Sequence, residues 1–117
     1  KIVEKKIRFN ERFGAGTRLY MGEENIFLYD CLDMGLKIFY APIPIVKELL
    51  NNRNSTWFKG YNLDYFYVKG VVNRQLMGNF FSIFYNIYLS LKLYNRYKRN
   101  IGWFAVIRTI LANKREN

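Results

Sequence analysis

The chain of 117 residues contains no histidine and only one cysteine, and these absences exclude several kinds of active site. Neither a Ser-His-Asp nor a Cys-His catalytic arrangement can be assembled from such a chain, and a zinc site lacks its usual ligands. Cys31 can form no internal disulfide, so nothing favours an oxidising compartment and we expect a cytoplasmic protein. Any proton transfer must rely on carboxylates, lysine or tyrosine.

Acidic residues are scarce in the second half of the chain. Residues 1–50 carry eight Lys or Arg and seven Asp or Glu, whereas residues 51–117 carry eleven and two. A basic block rich in aromatic residues attracts anionic surfaces, whether phospholipid or nucleic acid. Its basic residues match no nucleic-acid-binding motif, so we predict no nucleic-acid partner. A small basic module that binds nucleic acid or a membrane surface without catalysis is the alternative to an enzyme.

The sequence also lacks a hydrophobic run that could span a membrane. Residues 75–91 are uncharged, but they are too few and include glutamine, asparagine and serine. Within them Phe80, Phe84, Ile87 and Leu91 recur at helical spacing, and we expect this stripe to pack into the core. Residues 101–115 combine apolar and basic side chains, which fit either the core or a peripheral position on the inner face of the plasma membrane.

Residues 23–41 combine a helical and a strand pattern. From Glu23 to Met34 the offsets of three and four predict a helix that ends before Gly35, with one buried stripe formed by Phe27, Leu28, Cys31, Leu32 and Met34. Residues 36–41 then predict a strand, which Pro42 and Pro44 restrict to an edge or terminate. A helix, a glycine and a strand in such close succession are typical of an α/β fold.

The second half of the chain is predicted to be helical. Polar residues 51–56 indicate a loop that separates an N-terminal part, 1–56, from a C-terminal part, 57–117. Beyond the loop, a helix capped by Asn62 or Asp64 is predicted to reach about Met77, where Gly78-Asn79 breaks it. Two further helices are predicted over about 80–98 and 103–113.

Residues 9–28, FNERFGAGTRLYMGEENIFL, contain three glycines followed by two adjacent carboxylates. Glycines at 14, 16 and 22 predict a loop, because each loses much backbone freedom in a strand or helix and supplies no packing surface. The carboxylates Glu23 and Glu24 then fall in the first turn of the following helix. Acidic residues there often only complement the helix dipole, so this pattern fits an ordinary helix start as well as an active site.

Five segments occur here in a specific order and spacing: Phe9-Asn-Glu-Arg-Phe13, Gly14-Ala-Gly16, Gly22-Glu-Glu24, Gly35-Leu-Lys-Ile-Phe-Tyr-Ala-Pro42 and Val46. They resemble the second half of the catalytic domain of family 2 glycosyltransferases, enzymes of the GT-A fold. The resemblance covers about residues 7–60. It implies an α/β fragment over residues 1–56, the acceptor-side half of such a domain, followed by a mainly helical C-terminal region.

The resemblance implies an inverting transfer of a sugar from a nucleotide-sugar donor to a hydroxyl of a saccharide or lipid-linked acceptor, in surface polysaccharide or glycolipid synthesis. Glu24 stands where the family has an aspartate and is the expected base for the acceptor hydroxyl, with Glu23 beside it. The glycines would let a sugar ring approach the backbone, and Tyr20, Trp57 or Tyr61 would stack on that ring. The substrate-binding residues expected on this basis are Gly14, Gly16, Tyr20, Gly22 and Trp57.

Members of the family carry nucleotide-binding strands and an Asp-x-Asp metal motif upstream of the acid pair, and this sequence contains no Asp-x-Asp. The resemblance therefore implies a fragment that is inactive alone, in which the Mg or Mn of the full-length enzyme is not bound. Apolar side chains of residues 23–34 and 36–41 would be exposed where the donor half normally packs. Self-association of the fragment is therefore expected.

Overall fold

The computed structural model describes residues 2–45 and 58–112, and within these ranges the chain is helical and contains no sheet. The helices of the described residues are α1 (Glu23–Asp33), α2 (Leu63–Lys92), α3 (Tyr94–Tyr97) and α4 (Trp103–Ile110). The predicted α/β fold is therefore wrong, and with it the expected α/β half of a GT-A domain. The predicted loop at 51–56 lies outside the described residues.

The predicted strand at residues 36–41 is absent because these residues have no partner in the described part of the chain. A β-strand is stabilised by hydrogen bonds to a neighbouring strand. An alternating pattern of side chains does not by itself provide that neighbour. The β contact that does form in the described part is an isolated bridge between Phe13 and Leu19. Phe39 and Tyr40 are 83% and 91% exposed, so these two side chains are not covered by the described residues.

Helix α1 ends where the sequence predicts. Gly35 has φ 76°, and its N–H donates to the Leu32 carbonyl at 2.9 Å while the Leu36 N–H donates to the Cys31 carbonyl at 2.9 Å. This pair of hydrogen bonds is the Schellman motif, which requires a left-handed residue and therefore favours glycine. The chain leaves α1 in one fixed direction as a result.

The predicted buried stripe of α1 is only partly confirmed. Cys31 is buried, but Leu28, Leu32 and Met34 are exposed, and Ile26, which lies outside the predicted stripe, is buried. In the described part α1 packs on α2 and, through Ile26, on Phe13 and Leu19 of the preceding loop, so only part of its surface is covered. The exposed apolar surface expected on residues 23–34 and 36–41 is present, while self-association stays a prediction.

Helix α2 begins at a capped turn and is interrupted in its middle, as predicted. The Asn62 side-chain oxygen accepts the N–H of Tyr65 at 2.8 Å, which satisfies one of the free donors of the first turn. Gly78 has φ 75° and ψ 175°, a backbone conformation that is essentially restricted to glycine. The helix is therefore divided into an N-terminal half, residues 63–77, and a C-terminal half, residues 79–92.

The two halves of α2 fold back towards each other. Asn73 donates from its side-chain amide to the side-chain oxygen of Asn86 at 2.6 Å. In a continuous helix these residues would be about 20 Å apart, given a rise of about 1.5 Å per residue. Phe66 and Leu89, one from each half, also share a hydrophobic cluster with Tyr97 and residues of α4.

A second hydrophobic cluster joins the glycine loop and α1 to α2. Phe13, Leu19 and Ile26 are buried against Val68 and Val72 of the N-terminal half. Residues from both sides of the predicted 56/57 boundary therefore share one core. The N-terminal half of α2 lies between the loop on one side and α4 on the other.

Helix α4 approaches α2 most closely at Gly70. A Cβ atom built on Gly70 would lie 2.1 Å from the carbonyl oxygen of Ile110, so only glycine permits this contact. The same carbonyl oxygen accepts hydrogen bonds from Arg74 Nη1 at 3.3 Å and from Asn86 Nδ2 at 3.4 Å. Arg74 Nη2 also donates to the Ala112 carbonyl at 2.8 Å. These bonds satisfy carbonyl groups at the end of α4 that have no partner within the helix.

The helix predicted over 80–98 is shorter than expected. α2 ends at Lys92, and a turn at Leu93 separates it from α3. The start predicted for the last helix, at Trp103, is confirmed. Among the described helices, none combines the length and the apolar composition that a bilayer crossing demands.

Replacement of Gly70 by alanine tests the contact between α2 and α4. We expect Gly70→Ala to lower the free energy of unfolding by about 1–3 kcal/mol, because the new methyl group overlaps a backbone oxygen that must move. The higher helix propensity of alanine returns at most about 1 kcal/mol. Chemical denaturation followed by circular dichroism measures the change.

Gly102→Ala is the matched control, because Gly102 also has an ordinary φ of −70° and a Cβ built there meets nothing within 4 Å. Because Gly102 is the N-cap of α4, where alanine is less favourable than glycine, we expect a small loss of stability that stays below that of Gly70→Ala. Equal effects of the two substitutions would contradict the close approach at Gly70.

Candidate functional site

The glycine-rich segment forms a tight closed loop. The Gly14 N–H donates to the Leu19 carbonyl at 2.8 Å, and Thr17 bonds back to the Gly14 carbonyl through its N–H at 3.1 Å and its hydroxyl at 3.0 Å. Gly14 and Gly16 have φ values of 111° and 85°, which other residues adopt at a steric cost. Buried Phe13 and Leu19 fix the two ends of the loop in the core.

Glu23 packs against this loop. A Cβ atom on Gly14 would lie 3.2 Å from the carboxyl carbon of Glu23, so the absence of a side chain at Gly14 makes room for the carboxylate. Glu23 is half-buried, whereas Glu24 is exposed. The two adjacent acids therefore differ: Glu23 is held against the loop, and Glu24 is open to solvent.

Gly22 positions the start of α1 on α2. It precedes the helix with φ 93°, and a Cβ atom there would lie 2.6 Å from a methyl carbon of Val72. Gly22 was predicted to bind substrate, and its observed contact gives it a structural role as well. Because α1 begins directly against α2, the acid pair has a fixed position relative to α2.

A cavity of about 260 Å³ opens at the junction of the loop, α1 and α2. The predicted base Glu24 lines it, together with Glu23, and so do Tyr20 and Gly22 from the predicted substrate-binding set. Its lining residues are Ala15, Tyr20, Met21, Gly22, Glu23, Glu24, Asn25 and Lys69. The loop and the acid pair, which are adjacent in sequence, therefore face a shared hollow.

Two of the predicted substrate-binding residues, Gly14 and Gly16, do not line this cavity. Gly14 lies behind Glu23, and Gly16 is in an open position where a Cβ would meet nothing within 4 Å. Trp57 lies outside the described residues. Tyr61, an alternative aromatic platform, instead packs edge-to-face on Phe58 and Tyr65.

Tyr20 is held at the cavity by Asp64 in the first turn of α2. Burial, the negative charge of Asp64 and a hydrogen bond to its carboxylate raise the pKa of the Tyr20 hydroxyl above its ordinary value. Tyr20 therefore stays protonated at neutral pH, and its hydroxyl serves as a donor rather than as a base. Its ring forms part of the cavity wall, with the orientation fixed at the hydroxyl end.

Lys69 is the titratable residue at this cavity that the sequence-based prediction missed. It lies on α2 between the buried residues Val68 and Gly70, and burial lowers the pKa of its ammonium group. The chain contains one signal that could have indicated it: Lys69 is the only charged residue between Asp64 and Arg74. Its position opposite the acid pair comes from the packing of α1 on α2, which no local pattern reveals.

The residues present do not fit a metal ion. No three Asp, Glu or Cys side chains of the described ranges converge in a group that could hold one. The Mg or Mn expected for a full-length enzyme therefore has no ligands assigned among residues 2–45 and 58–112. The chemistry available at the cavity is that of two carboxylates, one lysine and one tyrosine.

Comparisons of the chain with protein-family models, with curated proteins and with solved structures found no match. The resemblance to family 2 glycosyltransferases therefore stays a prediction.

The lowered pKa of Lys69 gives a test of its burial. We expect Lys69→Met to stabilise the protein at neutral pH, because methionine fills the same space without a desolvated charge. The folded state loses the Lys69 proton before the unfolded state does. The cost of the charge is therefore complete below the folded pKa and disappears as the pH approaches the ordinary lysine value of 10.5.

Thermal unfolding of the wild type and of Lys69→Met between neutral pH and about pH 10.5 measures this difference. The advantage of the variant should shrink as the pH rises. Lys59→Met, a change at an exposed lysine close to the start of α2, is the control and should show no such trend. A difference between the wild type and Lys69→Met that is independent of pH would contradict the assignment.

Proposed function

We propose that the chain forms the acceptor side of a sugar-transfer site, in which Glu24 removes the proton of an attacking hydroxyl group. The observation that carries the proposal is the shared cavity: Glu24 lines a hollow beside a glycine loop, with Tyr20 and Lys69 in its walls. A base must reach the proton that it abstracts, and an exposed carboxylate at an open cavity meets this requirement.

The reaction proposed is an inverting transfer. The acceptor oxygen forms a bond to the anomeric carbon of the sugar while the bond from that carbon to the nucleoside diphosphate breaks, and its electron pair leaves with the diphosphate. The acceptor proton passes to a carboxylate oxygen of Glu24. A sugar hydroxyl is too weakly acidic to ionise by itself near neutral pH, so the base is needed as the bond forms.

Lys69 and Tyr20 supply polar groups to the same site. A partly desolvated ammonium group interacts strongly with negative charge, and nucleotide-sugar donors and lipid-linked acceptors both carry phosphate. The Tyr20 ring offers a flat surface for a sugar, and its hydroxyl is already bonded to Asp64. Glu23 supports the loop through its contact with Gly14 rather than acting on the proton.

The proposal assigns the donor site to a part of the enzyme outside this chain, because the sequence has no Asp-x-Asp motif. The product would belong to surface polysaccharide or glycolipid synthesis, on the cytoplasmic side of the membrane. The donor site and the pathway are both proposed from the resemblance in the loop and the acid pair. The helical fold of the described residues is no part of their support.

Replacement of Glu24 by glutamine tests the proposed base. In an enzyme that joins this chain to its donor-binding part, we expect Glu24→Gln to lower kcat by about 10²–10⁴-fold, because the amide cannot accept the proton. Binding of the acceptor and thermal stability should stay close to the wild type, since Glu24 is exposed. Steady-state kinetics with a saccharide acceptor measure the effect.

Asp33→Asn is the matched control, because Asp33 is an exposed acid on the same helix, outside the cavity. It should retain full activity. Wild-type kcat in Glu24→Gln would remove the proposed base, and an equal loss in both variants would point to the net charge of α1 instead.

A further inference from the structure

The C-terminal half of α2 is turned with its polar side inward. Ser82, Asn86 and Ser90, which recur at offsets of four, are buried, and Leu89 beside them is 8% exposed. The predicted apolar stripe lies on the opposite side: Phe80, Phe84 and Leu91 are 65%, 61% and 57% exposed. The expectation that this stripe packs into the core is therefore wrong.

Hydrogen bonds explain why the polar side is buried. Asn86 bonds both to Asn73 and to the Ile110 carbonyl, and Ser90 accepts the indole N–H of Trp103 at 3.2 Å. Ser82 donates to the Asn79 carbonyl at 3.1 Å within its own helix. Every buried polar side-chain atom in the described ranges has a partner. Because these partners lie on one side of the helix, the aromatic side is forced outward.

The outward side is a continuous apolar surface, here called the aromatic face. Its rings touch one another: the Phe80 centroid lies 5.5 Å from that of Phe81 and 5.3 Å from that of Phe84. Its exposed members are Phe80, Phe81, Ile83, Phe84, Tyr85, Tyr88 and Leu91. Contiguous exposed apolar surface of this kind marks an interaction site in a folded protein.

Basic residues border the aromatic face. Lys92 shares one flank of the helix with Tyr85 and Tyr88, and its ammonium group lies 5.7 Å from the centre of the Tyr88 ring. Arg96, Lys98 and Arg99 follow directly and are exposed. Residues 65–112 contain seven Lys or Arg and no Asp or Glu, so no acidic side chain of this segment offsets their charge.

We propose that the aromatic face and its basic border dock the protein on an anionic phospholipid surface, with the Phe side chains in the headgroup layer. The polarity of the aromatic face changes in the same order as that of a membrane interface. Its centre is phenylalanine and leucine, its flank is tyrosine, and lysine lies next to the tyrosines. A second copy is disfavoured as the occupant, because a symmetric contact would bring two uncompensated basic borders together. This inference is independent of the proposed sugar transfer.

Co-sedimentation of the 117-residue chain with lipid vesicles tests the proposal. Vesicles of phosphatidylcholine mixed with phosphatidylglycerol should bind the protein, and added salt should weaken the binding, whereas phosphatidylcholine alone should bind it poorly. Phe80→Ser combined with Phe84→Ser should lower the affinity at least about tenfold. Lys92→Gln and Arg96→Gln should each lower it about fivefold, and only for the anionic vesicles.

Phe39→Ser is the control, because it makes one such change at a still more exposed phenylalanine outside α2, and it should retain the wild-type affinity. Circular dichroism checks that every variant is folded. Equal binding to both kinds of vesicle, or equal losses in Phe39→Ser and the α2 variant, would overturn the proposal.

Two further results would assign the face to another occupant and so overturn the proposal as well. One is light scattering in which the change at Phe80 and Phe84 converts a lipid-free oligomer into a monomer. The other is displacement of the protein from anionic vesicles by single-stranded DNA, together with a loss of DNA affinity in the Phe80 and Phe84 variant that equals its loss of vesicle affinity.

Discussion

One carbonyl oxygen, that of Ile110 near the end of α4, holds the C-terminal part of the structure together. It lies against Gly70, where a Cβ would be only 2.1 Å away, and it accepts hydrogen bonds from Arg74 and Asn86. These donors come from the two different halves of α2. A single acceptor therefore fixes the position of α4 and the fold-back of α2, and the direction of the aromatic face follows from both.

Helix α2 also positions the candidate site. Its N-terminal half packs on α4 through one side and receives the glycine loop and α1 on another, through Val68 and Val72. Lys69 lies between these contacts and reaches the cavity at the acid pair. The N-terminal half of α2 thus carries the proposed reaction site and its C-terminal half the proposed lipid contact. The loop glycines shape only the reaction site.

Local chemistry predicted much of the chain and tertiary packing decided the rest. Gly35, Asn62 and Gly78 were identified from sequence because a helix end, a cap and a break depend on the residue itself. The prediction of a strand at 36–41 is wrong because a strand needs a neighbouring strand, which the sequence of the segment itself does not reveal. The stripe of α2 was assigned to the core because hydrophobicity usually points inward, whereas here the hydrogen bonds of Asn86 and Ser90 determine which side is buried. For the site, the loop and the acids were identified from sequence, but the contribution of Lys69 needed the contact between two helices.

The break at Gly78 restricts which residues can occupy this position during evolution. A Cβ atom built on Gly78 would lie more than 4 Å from the other described atoms that count as its neighbours, so a side chain there would not clash. Yet its φ of 75° and ψ of 175° are closed to other residues, and any side chain would favour one straight rod of thirty residues. A substitution at Gly78 would thus weaken the fold-back of α2 through backbone strain alone, although no neighbouring atom of the described residues stands in its way.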